Sequence, residues 1–147
     1  GGLRIDRNRI EAFAADIAEY ARQHVAAETL TAKLDIDAEC SLSELSQGTV
    51  QHLAKLGPYG QGNPEPVVAV RNCRLITSPR RMGRGGATVG MLLGQGDVKM
   101  RAVGFNMGDL ADILEGVRTI DVAAAPGLNC FQGNTTVELQ LKDVRWG

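Results

Sequence analysis

The chain has 147 residues, 44% of them hydrophobic, with 16 Lys/Arg against 17 Asp/Glu and a formal net charge of −1. This length and apolar share suit one domain, or one small domain with an extension, and exclude a chain disordered by composition. No apolar run approaches the ~18 residues of a membrane span, and GGLRIDRNRI lacks the apolar stretch of a signal peptide, so no membrane partner is expected.

In chain order, LRI (3–5) reads as the end of a strand, and Asp6 is placed to cap a following helix. Ile10, Phe13, Ala14, Ile17 and Ala21 recur at helical spacing, which predicts an amphipathic helix to about His24. LDID (34–37) alternates like a short strand. Ser41 to Glu44 has the spacing of a capping box, and Val50, Leu53, Ala54 and Leu56 carry a second helical stripe that ends at Gly57. Residues 1–56 thus form a helical extension. Cys40, Cys73 and Cys130 show no CxxC spacing and are expected as free thiols of a reducing cytoplasm.

Residues 57–66, GPYGQGNPEP, hold three glycines and three prolines. Proline fixes φ and removes a donor while glycine opens positive φ, so this stretch can be neither helix interior nor central strand. Flexible linkers are rich in Gly and Ser without proline, so a rigid joint is expected. Its residues are Pro58, Tyr59, Gly60, Gly62, Asn63, Pro64 and Pro66. Tyr59, its one bulky side chain, should anchor the loop, its hydroxyl finding a polar partner.

After the joint the period changes to two. Strands are predicted at 66–77, in ATVGMLLG, in VKMRAVGF, in VRTIDVAAAPGL and in GNTTVELQLKDVRW, with one short helix in MGDLADILEG between the third and fourth. The fold class is mainly β with an α-rich N-terminal extension. The order β-β-β-α-β-β over 67–147 is that of a five-stranded OB-fold barrel. Charge changes sign at the same joint: residues 1–66 hold six Lys/Arg against ten Asp/Glu, and residues 67–147 ten against seven. A basic second half can meet a polyanion.

LGPYGQGNPEPVVAVRN resembles the start of the C-terminal OB domain of RecJ-type single-stranded-DNA exonucleases, matched at Leu56, Pro58, Tyr59, Gly60, Gly62, Asn63, Pro64 and Pro66. The likeness continues through AVGFNMGDLADIL and LNCFQGNTTVELQLKDVR, and GGLRIDRNRIEAFAADI resembles the end of the DHH-associated domain. The resemblance implies part of a cytoplasmic 5′–3′ exonuclease of DNA repair and recombination, whose Mn or Mg sits in a DHH catalytic domain. The DHH motifs do not occur here, and His24 and His52 stand alone without HxD or HExxH spacing. Cofactor-free and non-catalytic behaviour is therefore expected of this chain. The implied partners are single-stranded DNA, the DHH domain of the same parent chain and a single-strand-binding protein.

OB-folds bind single strands by stacking bases on aromatics while cations track phosphates. The candidates are Arg74, Arg80, Arg81, Arg84, Lys99, Arg101 and Phe131. Lys99 and Arg101 share a strand face, with Met100 and Ala102 turned into the barrel. Phe105 is expected in the core against the short helix. The second strand carries Thr88, Gly90 and Leu92 where related barrels often have Lys and His, which predicts weak binding. The alternative is a structural or protein-interaction module that closes the ring of the full enzyme.

Overall fold

The computed structural model describes residues 2–26 and 32–147. The chain divides into two compact units, Gly1–Leu34 and Asp35–Gly147. Among its described residues the first holds a 3₁₀ turn, Arg7–Arg9, and then α1, Ile10–His24. Asp6 has extended backbone before the turn, but its side chain makes no capping hydrogen bond. The expected stripe is present in α1, yet none of its residues is buried. Tyr20 stacks on His24 with ring centroids 4.0 Å apart.

The second unit is built on β strands. A two-residue strand β1, Ala38–Glu39, pairs in parallel with β2, Val68–Leu75. After β2 come β3, Arg80–Met82; β4, Thr88–Gln95; β5, Val98–Gly104; α3, Leu110–Ile113; β6, Thr119–Phe131; and β7, Asn134–Arg145. Strands β2, β6, β7, β5 and β4 pair in that order, and β4 pairs back to β2, so five strands close a ring. The closing contacts are the parallel pair β5–β7 and the short antiparallel pair of Arg74 and Leu75 with Gly94 and Leu93. The expected order β-β-β-α-β-β is present, with β1 and β3 added as short strands on the ring.

Period-two alternation fills the interior. Val89, Met91 and Leu93 of β4, Met100 and Ala102 of β5, and Leu139 and Leu141 of β7 point inward and are buried. Leu114, 1% exposed, closes one end of the core just after α3. Asn72 has φ 55° at an irregularity between Val70 and Cys73, where its backbone N–H donates to Asp121 Oδ1 at 2.8 Å. That bulge turns Arg71 and Asn72 out and returns Cys73 to the core.

Three expectations are corrected. The strand expected over 34–37 lies at Ala38–Glu39, fixed by Asp37, which exchanges hydrogen bonds with Val67 through its backbone and its carboxylate. The capping box at Ser41 is real, but it opens a 3₁₀ turn, Leu42–Glu44. The helix α2, Gln47–Ala54, starts afresh with Ser46 accepting from the Thr49 N–H at 3.1 Å. Residues 35–56 group with the barrel, so the compact unit begins well before the joint. The reason is burial: Leu42, Leu45 and Val50 are at most 4% exposed. The Gln95 amide holds this segment, accepting from the Leu42 N–H at 2.8 Å and donating to the Arg71 carbonyl at 2.9 Å.

Candidate nucleic-acid interface

Directly paired residues of neighbouring strands project to the same side of a sheet. Outside the barrel this gives a grid. Gly94 of β4 pairs with Lys99 of β5 and with Arg74 of β2. One row along, Leu92 pairs with Arg101, Arg101 with Glu138 of β7, and Glu138 with Gly127 of β6. In the next row Arg80 of β3 pairs with Gly90, Gly90 with Val103, Val103 with Gln140, and Gln140 with Ala125. Four of the six candidate cations, Arg74, Arg80, Lys99 and Arg101, therefore share one outer face.

The other two part company. Alternation along β3 sends Arg81 away from Arg80 and Met82, and its Nη2 donates to Asp109 at 2.8 Å and Asp112 at 2.6 Å. These bonds, that to Asp112 foremost, raise the Arg81 pKa above its ordinary value. Arg81 pins the first hairpin, the segment from β2 through β3 to β4, to the α3 segment, as does the Gly108 N–H, which donates to the Ala87 carbonyl at 3.0 Å. Arg84 lies exposed in the glycine turn beyond β3, where Gly83, Gly85 and Gly86 have φ of 74°, 76° and 69°.

The uncharged second strand has a structural cause. A Cβ at Gly90 would lie 2.5 Å from Met82 Sδ, and one at Gly94 2.5 Å from Ile76 Cδ1. The first hairpin folds its own apolar side chains over β4, so a cation at these positions would have no room. The open part of the face lies over β5, β7 and β6. Within it Arg101 Nε meets Glu138 Oε2 at 3.0 Å, and Lys142 Nζ meets Glu65 at 3.4 Å. Arg74 donates to the Gly96 carbonyl at 3.2 Å. Among the described residues Arg80, Arg84 and Lys99 have no ion-pair partner.

Phe131 is 68% exposed at the start of the β6–β7 turn, in phase with Gly127 and Asn129 on the same outer face. Phe105 is a correction: it is 57% exposed rather than in the core. Met107, Leu110 and Leu114 pack on the core near α3 instead. The signal was present in the sequence, since 99, 101, 103 and 105 share one phase of the alternation. Phe105 borders a groove with Leu128, Asn129, Glu138 and Gln140.

The joint is ordered by side chains. Gly57–Pro58 is cis, and Gly60 and Asn63 exchange backbone hydrogen bonds of 2.8 and 3.1 Å. Tyr59 donates from its hydroxyl to the Leu53 carbonyl of α2 at 2.5 Å, and its ring, about one-third exposed, lines a groove with Val50, Leu53, Pro66, Pro126 and Leu128. Asn63, read in the sequence only as a turn residue, donates through Nδ2 to the carbonyls of Leu56 (2.8 Å) and Pro58 (3.1 Å). Pro64 and Pro66 then lead extended chain into β2. Neither Gly60 nor Gly62 has positive φ, and a Cβ at either would meet nothing within 4 Å.

Among the described residues no group of three or more His, Cys, Asp and Glu could hold a metal ion. Burial pushes the Cys73 thiol up to about 11, and Cys40 is raised by the same cause, while Cys130 is exposed. No helix among the described residues is long and apolar enough to cross a membrane.

Residues 36–143 match the family model described as the RecJ OB domain. The chain belongs to the RecJ OB domain family. It is 32% identical, over 98% of its length, to the single-stranded-DNA-specific exonuclease RecJ of Thermus thermophilus, and 26% identical, over 97%, to that of Salmonella typhimurium. It spans only 20% and 24% of those relatives. The crystal structure of the Thermus thermophilus RecJ in complex with Mn²⁺ superposes with a TM-score of 0.72 at 26% identity, covering 99% of this chain and 20% of that one. The RecJ OB fold thus accounts for the barrel, and the cation rows lie on its outer face.

Proposed function

We propose that this chain is the C-terminal OB module of a RecJ-type 5′–3′ single-stranded-DNA exonuclease of repair and recombination, and that it binds single-stranded DNA without cutting it. The observation that carries the reading is the register that brings Arg74, Arg80, Lys99 and Arg101 to one outer face, with Phe131 at its end. Cations there follow phosphates, and exposed aromatics offer stacking platforms that tolerate any base. The relatives' name specifies single-stranded DNA as what they act on. In this proposal Gly1–Leu34 is the tail of the DHH-associated domain, shorter than the 1–56 extension expected from the sequence. In this reading Mn²⁺ or Mg²⁺ would sit in the DHH domain of the parent, as the family resemblance implies. A cytoplasmic setting and contact with a single-strand-binding protein belong to the same reading.

Fluorescence anisotropy with labelled oligonucleotides tests it. Single strands should bind more tightly than duplex, with affinity falling steeply between 50 and 200 mM salt, roughly as the number of phosphates neutralised. Equal, salt-insensitive or absent binding would overturn the DNA reading. One observation favours the structural alternative: Arg81 is committed to Asp109 and Asp112, and Arg101 to Glu138. Under that alternative the face holds another part of the parent, and the anisotropy experiment shows no single-strand preference.

A further inference from the structure

The groove beside Phe105 differs from the cation rows next to it. Its floor is made of small or short side chains, Val103, Ala125 and Gly127, and its walls are Phe105 and Leu128. The polar groups at its edge are Glu65, Asn129, Glu138 and Gln140. Its volume is about 140 Å³. No cation lines it. The two carboxylates are already paired with Lys142 and Arg101, whose ammonium and guanidinium stand outside the lining. A phosphate meets no cation here, only the side-chain amides of Asn129, which already donates to Glu138 at 3.4 Å, and of Gln140, and it faces two carboxylates. A planar, uncharged group with hydrogen-bond donors on its edge fits all three features: an aromatic wall, a shallow small-residue floor and an acceptor-rich rim.

We infer that this groove is a nucleobase pocket of the DNA-binding face, and that it favours bases carrying an exocyclic amine. The inference rests on the single-stranded-DNA reading above and deepens it. Phe105 supplies the stacking surface. Gln140, whose amide makes no hydrogen bond to another described residue, and the carboxylates of Glu138 and Glu65 receive the amine. Cytosine presents a donor at N4, whereas thymine presents a carbonyl acceptor at O4, so the two pyrimidines differ at the atom the rim meets. Arg101 pairs with Glu138 across one β5–β7 strand spacing, ~4.8 Å. A base seated in the groove therefore keeps its own phosphates within reach of Arg101, with Lys99 in the neighbouring row. This layout also explains why a barrel with few aromatics places Phe105 in solvent, where an apolar ring gains nothing from the fold itself.

The test compares labelled oligo-dC and oligo-dT of equal length on the 147-residue chain, with amide and side-chain NH₂ resonances followed by NMR. The expected result is tighter binding of dC by several-fold, with shifts at Gly127 and at the side-chain amides of Asn129 and Gln140. Phe105→Ala should weaken both oligonucleotides on the order of tenfold. Gln140→Leu should reduce the dC preference. Equal binding of dC and dT, with Phe105→Ala unaffected and shifts confined to the region of Arg80 and Lys99, overturns the pocket while leaving DNA binding by the module intact. No binding of either oligonucleotide overturns both. Thermal melts of the two variants that match the parent chain confirm that lost binding is not lost fold.

Discussion

Lys99 and Arg81 look alike in the sequence, both cations of the basic half, and differ in what surrounds them. Lys99 is exposed on the outer face with no ion pair among the described residues, whereas Arg81 is held by two aspartates. Lys99→Ala should weaken single-strand binding uniformly across sequences and reduce the salt slope by about 1, as loss of one phosphate contact does. Arg81→Ala should instead lower the thermal midpoint by freeing the first hairpin, with only a secondary effect on affinity. Melting curves and salt titrations of both variants separate these roles. The cysteines divide in the same way. Cys130 should react with a thiol reagent in the native state and Cys73 only on unfolding, so that Cys130→Ser removes the fast phase. Because burial raises the Cys73 thiol from 9.0 to about 11, the folded state retains a proton that the unfolded chain has lost. Its contribution to stability is present below pH 9 and declines as the pH rises toward 11. Urea melts of the wild type and of Cys73→Ala should therefore converge over that window, and a constant difference would contradict the assignment.

At the scale of elements, two glycine contacts set the first hairpin in place, and they tolerate change differently. A Cβ at Gly90 meets the far end of Met82, a flexible side chain, so Gly90→Ala should cost less than about 1.5 kcal/mol. A Cβ at Gly108 would run into the backbone carbonyl of Gly86, which cannot swing aside. Gly108→Ala should cost about 3 kcal/mol or more, the upper end of overpacking. Denaturant melts that rank them in the opposite order would show that the hairpin does not sit against the α3 segment. The joint is a second such case. Tyr59→Phe keeps the ring and removes the bond to the Leu53 carbonyl, at a cost of about 1 kcal/mol. Asn63→Ala removes two bonds to carbonyls of the same turn and should cost more. The prolines of the joint predict stiffness, but not which bonds its side chains make. The sequence offers Asn63 as one turn residue among several, and only the folded chain brings the Leu56 and Pro58 carbonyls to its amide.

For the whole molecule the sharpest prediction is a negative one about activity. Pure chain incubated with single-stranded DNA and Mn²⁺ or Mg²⁺ should release no nucleotides. Processive degradation from a 5′ end by the pure chain would overturn the non-catalytic reading. The element order, the change of period at the joint, the inward phase of Met100 and Ala102 and the family resemblance all followed from the sequence. They could, because alternation, proline and glycine act over a few neighbouring residues. The sequence left open which cations are free. Arg81 meets Asp109 and Asp112 from 28 and 31 positions away, and Arg101 meets Glu138 from 37 away across a parallel pair. Tertiary structure alone decided those partners, because they depend on how β5 and β7 lie side by side and on where the first hairpin lands. It decided the exposure of Phe105 too: the alternation allowed it, but only closure of the barrel left the residue 57% exposed. Local chemistry determined which strands form. Long-range pairing determined which side chains remain free to bind.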